Sequence, residues 1–129
     1  MGMLEDLSTY LAAQGIGTEG TDLFIGAMPD SPDACVAIYQ YSGLTPIKAM
    51  GIAAGGYVFE RPRVNVRVRS TTFVAGQAKA QDVFDKLGGY SNDGVPGIVF
   101  VDALQSPFQL GPDENNRQLF GCNFEVVKR

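Results

Sequence analysis

The stretch Arg63-Val64-Asn65-Val66-Arg67-Val68-Arg69 alternates valine with polar side chains without a break. Successive side chains of a strand point to opposite faces, so the valines belong to a core and the arginines to the other side. A register slip of one residue would drive three arginines into that core, so the pattern leaves little freedom in how the strand is used. The chain therefore needs a sheet with one dry face and something apolar to cover it. Pro62 is acceptable at the beginning of such a strand.

The flanking segments supply both the partners and the cover. Asp22–Ala27 and the nearly continuous apolar run Ala34–Tyr41 read as strands, separated by Met28-Pro29-Asp30-Ser31-Pro32-Asp33, which is turn chemistry. Residues 97–103 and 118–128 read as two more strands, the last with Phe120, Cys122, Phe124 and Val126 on one face. Between them runs a long polar-tipped connection, Gln105 to Arg117. Leu4, Leu7 and Leu11 recur at helical spacing over 3–14, with Glu5 and Asp6 in the first turn and Gly15 as the stop. A second helix is predicted over 73–88, with Thr72 as N-cap, the stripe Ala80, Val83, Phe84 and Leu87, and Gly88-Gly89 as its end. The expected fold is α+β: a single small domain over 1–129, with a roughly five-stranded mixed or antiparallel sheet and two helices on one face.

One stretch resists this treatment. Tyr41 to Val58 (YSGLTPIKAMGIAAGGYV) carries Lys48 as its single charge, has four glycines and follows no period. It is expected to be a flexible apolar loop, either packed on its own core or serving as an arm laid on a neighbouring subunit. Leu44, Ile47, Met50 and Ile52 are its candidate interface residues.

Composition removes several function classes. There is no histidine, so a Ser-His-Asp or Cys-His nucleophile cannot be assembled. The two cysteines, Cys35 and Cys122, are too few for structural zinc and read as small buried apolar residues, with a disulfide between them the alternative. Asp30 and Asp33 read as turn residues, and Asp113-Glu114-Asn115-Asn116 lacks the alternation and central glycine of a calcium loop. Neither Gly15-Ile16-Gly17 nor Gly51–Gly56 completes a phosphate-binding motif. No catalytic, metal or cofactor site can be read. A net charge of −4 lacks the basic surplus of a protein that grips DNA. The longest uncharged run, Ala34–Ile47, is 14 residues and cannot span a bilayer. Glu5 and Asp6 occupy the place of a signal peptide's basic and apolar regions, so a soluble product of a cytoplasm is expected. Arg61, Arg63, Arg67 and Arg69 form the one dense basic feature. They fit a solvated strand face, ion pairing with a neighbouring subunit, or phosphate contact.

Particular words of the sequence go further. Residues 24–39, FIGAMPDSPDACVAIY, resemble the opening of a family of small siphophage proteins usually labelled minor capsid protein. The resemblance continues through Glu60-Arg61-Pro62 and the valine–arginine strand to the helix near Thr72. It closes with Gln105-Ser106-Pro107-Phe108, Leu110-Gly111, Asp113-Glu114-Asn115 and Arg117. Such proteins look like tail terminators. The resemblance implies a virion subunit at the head–tail joint, forming a homo-hexameric ring that caps the tail tube and docks it to the head. Its partners would be further copies of itself, the major tail tube protein and a head-completion protein, with DNA passing through without sequence-specific binding. Arg63, Arg67 and Arg69 are then candidates for the subunit interface. Two alternatives stand beside this: a head-completion subunit bound to the portal, and a small enzyme or ligand-binding domain, which clustered titratable groups in a deep pocket would favour.

Overall fold

The alternating valines do lie against a core. In the computed structural model, which describes residues 3–48, 57–88 and 98–128, the elements run α1 (Met3–Ala13), β1 (Leu23–Ile25), β2 (Cys35–Lys48), β3 (Tyr57–Ser70), α2 (Phe73–Leu87), β4 (Ile98–Ala103), β5 (Phe108–Pro112) and β6 (Gln118–Lys128). The strands form one six-stranded sheet in the order β1-β2-β3-β6-β4, with β5 also paired to β6. β1 and β2 are parallel and every other pairing is antiparallel. The fold is α+β.

Register explains the dry face. Val64, Val66 and Val68 lie opposite Phe124, Cys122 and Phe120 of β6, and Val66 and Val68 lie opposite Ile38 and Val36 of β2. All of these side chains are buried, and each of the larger ones contributes about 1.5–3 kcal/mol. Both helices close over this face. Leu7 and Leu11 of α1 and Ala80, Val83 and Leu87 of α2 enter the same cluster. Gly15, at φ 83°, ends α1, and the Ile16 amide donates to Leu11 O at 3.1 Å. Thr72 caps α2 as its sequence predicts, its hydroxyl accepting from the Ala75 amide. The Lys79 ammonium donates to Ile16 O at 2.9 Å, and the Tyr10 hydroxyl to Lys86 O at 2.9 Å, so each helix is tied to the other's neighbourhood.

Two expectations are corrected. The connection Gln105–Arg117 contains a sixth strand, β5, which pairs with β6 at 118–121 while β4 pairs at 124–128. β4 and β5 thus run in line along one side of β6, interrupted by Leu104-Gln105-Ser106-Pro107. Residues 41–48 and 57–58, expected in a flexible loop, are the continuations of β2 and β3. Gly43 and Pro46 hide this because the pairing is irregular between Gln40 and Gly43 and again between Leu44 and Ile47. Such bulges accommodate a glycine and a proline while destroying the period of two. The tip of this hairpin, residues 49–56, lies outside the described residues.

Candidate functional site

The polar face of β3 divides at Arg67. Arg69, the last arginine of the alternating row, is 4% exposed. It donates from Nε to Asp33 O at 3.0 Å and from Nη2 to Pro29 O and Pro32 O at 2.5 and 2.6 Å. It holds the 28–34 loop of its own chain against the outer sheet face, and is therefore withdrawn from the candidate subunit interface. A turn that must fold back over a strand leaves carbonyls facing inward, and a guanidinium fork can satisfy several at once.

A second arginine completes the attachment. Arg117, just before β6, donates from Nη1 to Asp30 O at 2.6 Å and pairs through Nη2 with the Asp30 carboxylate at 2.9 Å. Asp33 lies 3.3 Å from Nη1, and Asp113 meets Nε at 2.8 Å. Asp30 and Asp33 are open to water, whereas Asp113 is 17% exposed, so the Asp113 pair is the least screened of the three. Burial opposes ionisation of Asp113, but the amides of Arg117 and Asn115 and the Arg117 guanidinium outweigh it and hold its carboxyl below the ordinary range. The two motifs most conspicuous in the sequence, Pro29–Asp33 and Asp113–Arg117, thus meet in space as one fastening.

The remaining arginines behave differently. Arg67 is exposed; its Nε donates to Asn65 Oδ1 at 3.0 Å and its guanidinium lies 5.2 Å from the centre of the Tyr39 ring. Asn65 donates to Asn123 Oδ1 at 2.8 Å, and Asn123 to Gln105 Oε1 at 3.3 Å, so a polar ladder crosses the outer face. Tyr39, Gln40, Tyr41, Asn65, Arg67 and Asn123 line a shallow groove there. Arg63 is half-buried and lies opposite Glu125, yet Arg63 Nε and Glu125 Oε1 each lack a hydrogen-bond partner among the described residues. Leu44 and Ile47 stand in β2 opposite Arg61 and Phe59 of β3, while Met50 and Ile52 lie outside the described residues.

Reactive chemistry has little to work with. Cys35 and Cys122 are free and buried. Burial pushes the Cys35 thiol up, partly offset by Arg69 and Arg117, and pushes Cys122 up to about 11. A thiol so disfavoured as thiolate is a poor nucleophile and a poor metal ligand. Among the described residues no three Cys, Asp or Glu side chains are grouped as a metal ion would need. No described helix is long and apolar enough to cross a membrane.

The family profile of the bacteriophage tail terminator protein matches residues 10–129. The chain belongs to the bacteriophage tail terminator family. Its role is structural, within a phage tail, and it is a component of the virion. Comparison with curated proteins returned no match. The matched span takes in the arginine fastening, the polar ladder and all six strands of this tail terminator. The fastening escaped sequence reasoning because its halves are 87 residues apart. One signal was available: Arg117 follows Asp113 at a spacing that lets a single turn place both side chains together.

Proposed function

We propose that this tail terminator assembles as a homo-hexameric ring that caps the finished tail tube and docks it to the head. The observation that carries the reading is the family match over nearly the whole chain, residues 10–129. It fits a chain without histidine, whose described residues offer no metal cluster and whose thiols are buried. The partners are the tube protein on one side and a head-completion protein on the other. DNA crosses the ring without being gripped, in keeping with a net charge of −4.

Negative-stain imaging of the purified protein, alone and mixed with uncapped tail tubes, tests this. A six-fold ring at one end of the tube is expected, whether or not the free protein is already oligomeric. A concentration-independent two-fold dimer that leaves tubes bare overturns it. Co-purification with the portal instead of the tube transfers the chain to the head-completion role.

A further inference from the structure

Among the described residues the sheet has two open edges, and their side chains are complementary. β1 covers β2 only from Val36 to Ile38, so the outer edge of β2 from Tyr39 onward has no strand partner among the described residues. On the far side β4 pairs, among the described residues, with β6 alone. An open edge presents a row of unpaired amides and carbonyls, which is a template for another chain.

What stands at each edge differs. At the β2 edge, Tyr41 is 47% exposed beside Tyr39. Arg67 leans over the Tyr39 ring and is paired with no carboxylate among the described residues. At the β4 edge, Phe100 and Leu104 are 41% and 39% exposed. Asp102 is exposed between them, with no cation partner among the described residues. It also lies directly opposite Glu125, which has Arg63 as its neighbour on the other side. Phe100 and Asp102 flank the buried Val101, so they point away from the helices, as Tyr39 and Arg67 do.

We propose that these edges are the two halves of one contact between copies of this chain. Tyr39, Tyr41 and Arg67 of one subunit lie beside Phe100, Asp102 and Leu104 of the next. The proposal rests on the ring reading above and names the surfaces that close it. Two unlike, complementary surfaces on opposite sides of a subunit are what a heterologous, ring-closing contact requires; a two-fold contact would set each edge against itself. Continuing the sheet across the junction keeps the outer faces contiguous, with strands about 4.8 Å apart. Tyr41 then packs on Phe100, and the Arg67 guanidinium, already extended over β2, reaches Asp102.

Cysteine pairs read the contact directly, since the native thiols are buried. Tail tubes capped with a Tyr41→Cys/Phe100→Cys double variant and treated with a short bismaleimide should give a covalent ladder ending at the full ring. Wild type and each single variant should give none. Dimers from a single variant mean a two-fold contact and overturn the proposal. Rings that form on tubes yet yield no ladder also overturn it, while leaving the capping role intact. Failure of wild-type protein to form rings sinks the capping role and this contact together. As a second arm, Arg67→Asp and Asp102→Arg should each abolish rings without loss of fold, and the two together should restore them. Undiminished rings from both single variants remove the ion pair from the contact.

Discussion

At one end of β3, Arg69 is buried and donates three hydrogen bonds to carbonyls of its own 28–34 loop. Two residues earlier on the same face, the exposed Arg67 donates to the Asn65 amide oxygen and lies over the Tyr39 ring. The sequence pattern is identical at both positions; the covering differs. A loop anchored also by Arg117 lies over the first, and nothing among the described residues lies over the second. Alternation decides which face a side chain takes, but how wet that face is depends on segments far away in the chain. A row of like residues should therefore be divided by what lies above it before any role is assigned to it.

That contrast can be broken at the clamped end first. Arg69→Met keeps the side chain's length and removes its donors, leaving three carbonyls without their partner. The expected loss is about 3 kcal/mol, since charge-assisted bonds are worth about 1.5–3 kcal/mol each and do not add fully. Calorimetry should record a Tm lower by roughly 10 °C. A change within error would mean the loop holds its place without Arg69.

Gly76→Ala probes the packing beneath the same end. In most helices this substitution stabilises, but here the new Cβ would come within 2.5 Å of the Phe120 ring and 3.2 Å of Ser70 Cβ. Phe120 is itself fixed by Phe73, ring centres 5.3 Å apart. Overpacking should cost about 1–3 kcal/mol, read as a lower urea midpoint at unchanged m-value. A stabilised variant would show that the Phe73–Phe120 pair can shift.

Acid sharpens the comparison further. The carboxyl of Asp113 is held below its ordinary range, so its contribution is fully present above the unfolded value of about 3.9 and is lost as pH falls through the folded one. Urea midpoints from pH 6 downward should fall less steeply in Asp113→Asn than in wild type. Parallel curves would assign acid sensitivity to other carboxylates.

The smallest expected effect on stability belongs to the open end. Arg67→Glu should change folding free energy by about 0.5 kcal/mol or less, the usual range for an exposed position. A large loss there would mean that Arg67, like Arg69, serves its own subunit.

Much of this was legible in the residues and some was not, for particular reasons. The period of two at 63–69, the helical stripe ending at Leu87 and the Thr72 cap lie where local chemistry places them. β5 was missed because it is a short edge strand whose Phe-Gln-Leu-Gly-Pro follows no alternation of burial, with Gly111 at φ 101° and a proline at its end. The far half of β2 was missed because bulges around Gly43 and Pro46 erase its period. Among the candidate interface residues, Arg69 was misplaced for a non-local reason: only contacts with Pro29, Pro32 and Asp33 reveal it as internal.

The position of β6 has a consequence for how the protein is made. It follows the other described strands in the chain, yet it lies between β3 and the β4–β5 pair, and Arg117 just before it fastens a loop 87 residues upstream. A nascent chain that has not reached Gln118 has β2 and β3 but no strand to carry Phe120, Cys122, Phe124 and Val126 into the core. Folding must then wait until β6 has been synthesised. A premature stop codon even a few residues before β6 should leave a phage as tail-defective as one without the gene.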